Sequence, residues 1–368
     1  MLTATNSLEP NLPVTSPDIR PTWVDIDLGA VRENAVALAE LTGSTLYAVV
    51  KADAYGLGAV PVARALAPLV SHFAVSLVEE GVELREAGID NPILIMGPAL
   101  DGGYEHIVRH DMIAMVSRRR DFDELRKLSP TTPLHLKIDT GMGRLGFYPD
   151  EAAELVASAT GIATHFACAD VDDPADPESP THRQLAEFER FIARVDPSHE
   201  RVHHAANSGA LVNYPQARFD AVRPGLVLYG NAPGPVRQVV RFCTRIAQLR
   251  EVTKGTAVGY GHTWRARQPS RLAVLPVGYA DGFPRSSSNN ADVLIGGVRC
   301  PVVGTVSMDM TIADVTGLGE AARVGDEVVL LGSQGDEHIA VAELAERTGL
   351  TPYEVTCGIS KRVPRHYR

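Results

Sequence analysis

The sequence predicts an α/β fold in two parts: an N-terminal (β/α)8 TIM-like barrel followed by a C-terminal, mostly β domain. Three observations predict it. Between residues 23 and 230, short apolar, β-rich runs alternate with helical stretches roughly eight times. After Gly234 the texture changes to β-like runs separated by Gly-rich turns. The chemically capable side chains of the first part gather at the ends of its β-rich runs, where barrels of this kind carry their sites. A length of 368 residues suits about two domains at roughly 150 residues each. The expected division is a flexible lead-in over 1–21, a barrel over 22–236 and a β domain over 237–368.

The expected barrel strands are the runs 45–50, 72–78, 92–96, 112–116, 134–138, 162–167, 201–205 and 222–229. Between them lie helix-spaced apolar faces, such as Val31, Ala35, Leu38 and Leu41, or Ala152, Leu155, Val156 and Ala159. Asp25 or Asp27 suits the N-cap of the first helix, and Gly43 suits its end. Alternation alone also fits an open, doubly wound sheet. In the second part the expected strands are 239–253, 271–276, 293–295, 300–306, 310–315 and 326–331, with one helix over 341–348. Residues 306–310 read as a kinked strand.

Composition narrows the function. The chain is 45% apolar and 22% charged, ordinary for a globular protein, and its net charge is −10. That balance argues against a nucleic acid or an anionic membrane as partner, because either selects a basic face. No stretch approaches the ~20 apolar residues of a membrane span, and the opening residues lack the pattern of a signal peptide. Cys168, Cys243, Cys300 and Cys357 are widely spaced and read as free thiols of a cytoplasmic protein.

The reactive side chains follow the strand ends. Lys51 closes the first run. Burial there would depress its pKa and make it a Schiff-base nucleophile or general base. Taken alone, it also fits a lysine snorkelling out of a strand. Lys137 and Arg144 lie at and after the fifth run, and His165 lies in the sixth. Asn207 and Ser208 follow the seventh, and Arg223 and Gly225 sit in the eighth. The segment 141–146 matches GxGxxG, but the Tyr148-Pro149 just after it interrupts the helix a dinucleotide site needs. Those glycines instead let a loop carrying Arg144 bend. Ser208, opening a helical stretch, and Gly225 suit an anion site; a plain N-cap suits Ser208 equally. His203 and His204 are adjacent on a strand and face opposite ways, so a shared metal ion is not expected. Tyr260 and Tyr279, next to glycines in the second part, are either site residues or turn aromatics covering an edge.

With these residues in hand, the chain resembles the alanine racemases. The resemblance rests on AVVKADAYGLG at 48–58, LKIDTGMGRLG at 136–146, THFACAD at 164–170 and ANSGA at 206–210. It continues through VRPGLVLYG at 222–230, GYGHTW at 259–264, PVGYADGFPR at 276–285, SMDM at 307–310 and YEVTCGISKRVPR at 353–365. The match runs in order from Trp23 to Arg368.

The resemblance implies a pyridoxal 5'-phosphate (PLP) enzyme that interconverts L- and D-alanine with two bases. Lys51 carries the cofactor and serves one enantiomer. Tyr260 of the partner subunit serves the other, so a homodimer with shared sites is implied. Tyr55, Ser208, Gly225, Leu226 and Tyr353 hold the phosphate, with Asn207 in the same cofactor-binding set. Arg223 faces the pyridine nitrogen, His165 lies beside the ring, and Arg144 touches the phenolic oxygen. Lys137 stands where a carbamylated lysine is often found. Tyr279, Met308 and Asp309 line the substrate entrance. Ser307 and Gly209 depart from the common pattern. The alternatives are a broader-specificity or serine racemase, a barrel decarboxylase of basic amino acids, and a non-catalytic PLP-binding protein.

Overall fold

The computed structural model describes residues 19–100 and 102–368. The lead-in expected over 1–21 lies almost wholly outside the described residues. Eight parallel strands close into a barrel: Thr45–Val49, His72–Val75, Ile93–Ile95, Ile113–Val116, Leu134–Lys137, Gly161–Ala163, Val202–His204 and Ala221–Val222. Closure is explicit, because the last strand pairs with the first through Thr45 with Ala221 and Leu46 with Val222. The open-sheet alternative is thereby excluded.

The first helix, Leu28–Thr42, starts and stops as its sequence dictates. Asp27 is the N-cap, its Oδ1 accepting the Ala30 N–H at 2.7 Å, and Gly43 ends the helix at φ 63°. Asp25, the other candidate cap, lies in a strand.

The barrel strands are shorter than their apolar runs, most of all in 162–167 and 222–229. In 162–167 the strand ends at Ala163. In 222–229 only Ala221–Val222 is strand, and Leu226–Tyr229 is a 3-10 turn. Pro224 has no N–H for a ladder, and the residues are apolar because they are buried, not because they are extended.

The second domain is built on a seven-stranded sheet containing Val240–Arg245, Asp292–Ile295, Val298–Pro301 and Glu327–Gln334. Residues 23–26, placed by the sequence reading in the 22–236 barrel unit, belong to this sheet instead. Trp23–Ile26 pairs antiparallel with Val240–Arg245 and parallel with the final strand Arg365–Tyr367. Val24 and Ile26 are buried against it, so a strand that precedes the barrel and a strand that follows the β domain share one sheet and staple the two domains. A three-stranded sheet of Gln248–Val252, Ser270–Leu275 and Thr311–Asp314 and a two-stranded sheet of Ala257–Val258 and Trp264–Arg265 complete the domain's strand framework.

The kinked strand expected at 306–310 is a turn, closed by Ser307 N–H to Met310 O at 2.9 Å. The helix Val341–Thr348 is present, and a second, Pro352–Cys357, comes after it. Its signal was in the sequence: Thr351 caps it, Pro352 opens it and Glu354 closes the capping box. All four cysteines are free. Among the described residues no helix is long and apolar enough to cross a membrane.

Removing the Asp27 cap leaves the Ala30 amide unpaired. Asp27→Ala is expected to lower unfolding stability by about 1 kcal/mol in urea titration, and an unchanged midpoint would refute the assignment of the cap.

Candidate active site

Lys51 directly follows the first barrel strand and its flanking Val50. The next four residues, Ala52, Asp53, Ala54 and Tyr55, have φ of 52°, 55°, 51° and 57°. They form a turn of left-handed helix from residues that carry Cβ atoms, which costs roughly 1–2 kcal/mol per residue. Local bonds hold it, among them Ala54 N–H to Val50 O at 2.9 Å and Ala59 N–H to Asp53 Oδ1 at 2.7 Å. The turn reverses the chain so that Lys51 stays at the strand end while Tyr55 is driven inward, 5% exposed. Burial pulls the Lys51 amine below the ordinary lysine value, Arg144 adds to the pull, and Glu80 opposes it.

Tyr55 meets the residues of the eighth strand end. Its ring lies 5.3 Å from that of Tyr229 and 5.5 Å from that of Tyr353. A methyl group on Gly225 would fall 2.3 Å from the Tyr55 hydroxyl, so only glycine lets the two approach. Asn207 caps the helix Ser208–Asn213 through Ala210 N–H at 3.0 Å. Ser208 Oγ accepts the amides of Gly225 and Val227 at 3.0 and 3.3 Å. Gly209 has its own reason: a methyl there would lie 2.8 Å from Asp170 N. Tyr55, Ser208, Gly225, Leu226 and Tyr353 thus meet at one lip of the barrel, and Asn207 caps the helix that Ser208 opens.

Arg223 is buried beside them, 4% exposed. Its Nη1 donates to His204 Nδ1 at 2.5 Å and to His204 O at 3.0 Å. Its Nη2 donates to Thr164 O at 2.6 Å and Ala205 O at 2.8 Å, with His165 Nδ1 at 3.3 Å. An arginine has no acceptor, so His204 Nδ1 must accept, and His204 Nε2 then carries the hydrogen. That hydrogen points to His135 Nδ1 at 2.8 Å. Burial, then the Arg223 charge, holds His204 well below the ordinary histidine value; burial pushes His135 down to about 3. Both are neutral at pH 7. His204 and His135 were not among the residues predicted from sequence. His203 faces the other way and bonds Asp196 at 2.9 Å.

Lys137 ends the fifth strand, 7% exposed. Burial first, then Arg223 and Arg144, lowers its pKa to about 8. The loop beyond it is wound around Asp139, whose Oδ1 accepts the amides of Gly141, Met142 and Gly143 at 2.9–3.1 Å. Gly141, Gly143 and Gly146 all take positive φ there, as the bend requires. This loop presents Arg144 toward Lys51, Lys137 and His165, whose pKa values it depresses.

The remaining predicted residues form a separate group on the β domain. Tyr260 opens a turn and is 74% exposed. Its carbonyl is held by Thr305 Oγ1 at 2.9 Å. Tyr279 N–H bonds Ser307 O at 3.1 Å, which places Tyr279 beside Met308 and Asp309. Asp309 is fixed by Arg362 at 2.7 Å, and Arg362 also bonds the buried Asp281 at 2.7 Å. Among the described residues no hydrogen bond or ring contact joins Tyr260, Tyr279, Met308 or Asp309 to Lys51 or Arg223.

Comparison with known proteins now decides the family. The model of the alanine racemase N-terminal domain matches residues 26–233, and that of the C-terminal domain matches 239–367. The chain belongs to the alanine racemase family. An alanine racemase of Halothermothrix orenii is 40% identical, over 95% of this chain and 97% of its own. The alanine racemase of a D-cycloserine-producing Streptomyces lavendulae superposes with a TM-score of 0.88 at 34% identity, covering 95% and 97% of the two chains. That of Bartonella henselae, solved with covalently bound pyridoxal phosphate, gives 0.87 at 30% identity, covering 95% and 99%.

The electrostatics of the barrel mouth give a direct test. Lysines labelled by 13C-formaldehyde methylation report their own titration by NMR. Lys137 is expected to titrate near pH 8 and Lys51 below 10.5, the ordinary value. Midpoints at the ordinary value for both would mean the mouth is not desolvated.

Proposed function

We propose that this chain racemises alanine with PLP held on Lys51, using Lys51 on one face of the substrate and Tyr260 of the partner subunit on the other. The observation that carries it is the convergence at the barrel mouth of a desolvated amine, an aromatic-and-amide cradle and a buried arginine. The residues fit the cofactor. Lys51 offers an amine with a lowered pKa, Tyr55, Ser208, Gly225, Leu226 and Tyr353 would hold the phosphate, and Arg223 would hold the ring nitrogen. PLP, when bound, supplies an electron sink that acidifies the α-hydrogen of an amino acid.

The protein's own groups govern the movement of the proton. Arg223 is a donor that does not give up its proton, so a ring nitrogen held by it would stay unprotonated and the sink would be moderated. His165 supports that guanidinium. Lys51 removes or returns a proton at one face through its Nζ. Racemisation takes a proton from one face and returns it on the other, which two bases on opposite faces do most simply. Tyr260, exposed on its own chain, is free to enter a partner's barrel mouth, and Tyr279, Met308 and Asp309 would border the entrance with it. This makes the working unit a homodimer in which each site draws on both chains. Lys137, partly neutral near pH 8, can add carbon dioxide through its nitrogen, lose a proton and become an anion that pairs with Arg144.

Ser307 bears on specificity. Its Oγ donates to Met310 O at 2.8 Å and accepts Met310 N–H at 3.2 Å. The only hydroxyl proton goes to Met310 O and cannot be donated to a substrate hydroxyl, which favours the alanine reading. A cytoplasmic enzyme supplying D-alanine for peptidoglycan goes with this reading, the four free cysteines being suited to a reducing compartment.

The purified protein should be yellow, should racemise L-alanine in a polarimeter, and should yield a borohydride-fixed adduct on Lys51. An adduct on another lysine would overturn the site. Shared sites predict a further result. Lys51→Ala and Tyr260→Phe, each inactive, should regain activity when mixed, because one site of each mixed dimer is intact. Subunit exchange without any activity would rule out a site built from two chains.

A further inference from the structure

We propose that Glu80 is a positioning residue for Lys51, the clamp that holds the strained left-handed turn in register with the neighbouring strand. The inference rests on the reading of Lys51 given above and adds a residue to it. Glu80 sits in the first turn of the helix Val78–Glu86, which comes after the strand His72–Val75. Its Oε2 accepts the amides of Ser76 and Leu77 at 2.8 and 2.9 Å, the ordinary duty of a carboxylate at a helix start. Its Oε1 does something a helix cap does not require. It accepts the amide of Ala52 at 2.6 Å, the residue immediately after Lys51, 28 positions away in the chain.

The geometry explains why this bond matters. Ala52 is the first left-handed residue of the turn. The other end of the turn has its own restraints: Arg365 Nε donates to Gly56 O at 3.0 Å, and Gly56 packs so closely that a methyl on it would lie 2.4 Å from Thr356 O. Glu80 provides the restraint at the Lys51 end. One carboxylate therefore ties the ends of two paired barrel strands, Thr45–Val49 and His72–Val75, and fixes the backbone from which Lys51 projects. Glu80 touches no reacting atom; it acts through the Ala52 amide and through its negative charge, which opposes the desolvation of Lys51.

Two variants of the holoenzyme test this. Glu80→Ala removes both acceptor oxygens and with them all three hydrogen bonds. Glu80→Gln keeps one carbonyl oxygen, enough for either Ala52 or the helix start. In Glu80→Ala the amides of residues 51–57 should exchange with deuterium about 10-fold faster, alongside the released Ser76 and Leu77 amides, with the rest of the barrel unchanged. Its kcat for alanine should fall by about 10- to 100-fold while KM stays within about threefold, because orientation is lost and substrate contacts are not. Glu80→Gln should lie between parent and Glu80→Ala in both measurements. Unaltered exchange over 51–57, or a retained kcat, in a folded Glu80→Ala protein would overturn the proposal. If Glu80→Ala does not fold, Glu80→Gln is judged by the same two criteria. Exchange needs no substrate, so a parent protein without racemase activity would defeat the functional reading while the exchange data still decide the role of Glu80.

Discussion

Arg223 is charged at neutral pH and buried, and the rest of the barrel mouth is organised by the cost of that combination. Taking a guanidinium out of water costs several kcal/mol unless its donors are matched. The matching groups here are the carbonyls of Thr164, His204 and Ala205 and the ring nitrogens of His204 and His165. Every one is neutral. The positive charge therefore reaches outward undiminished: it fixes His204 in one tautomer, helps hold His165 and His204 neutral, and lowers Lys137. An anion arriving at the mouth meets a field prepared for it.

That field also explains the division of labour between the domains. The barrel supplies rigid strand ends, a desolvated amine and a donor-lined floor. On the proposed reading, the second base comes from the β domain of the partner. The β domain carries Tyr260 and Tyr279 exposed, on turns braced by Thr305, Ser307 and the chain of Asp309, Arg362 and Asp281. An exposed aromatic ring on a braced turn has little to stabilise in its own chain. It makes sense as a part presented to another.

The barrel was legible because its strands are apolar runs ending in polar groups, and Lys51, Lys137 and Arg223 could be placed at strand ends from the sequence alone. The run 222–229 misled on length because burial and extension leave the same apolar signature. The role of residues 23–26 was hidden because their partners lie more than 200 residues away in the chain. His135 and His204 were not legible as a pair: 69 residues separate them, and only barrel closure points both inward. Glu80 reads as a helix-start carboxylate in sequence, and its bond to Ala52 depends on a left-handed turn that no local propensity favours. The role proposed for Tyr260 came from resemblance, since a tyrosine between glycines has no chemistry of its own to announce.

The central claim is that two bases on opposite faces, contributed by two chains, share one reaction. Solvent deuterium exchange in Tyr260→Phe tests it most directly. The variant keeps Lys51, so it should still exchange the α-hydrogen of D-alanine while forming almost no L-alanine. With L-alanine it should lose both exchange and racemisation, by the ~10²–10⁴-fold that a general base contributes. Equal exchange of both enantiomers with racemisation intact would contradict the account, because one base would then be serving both faces.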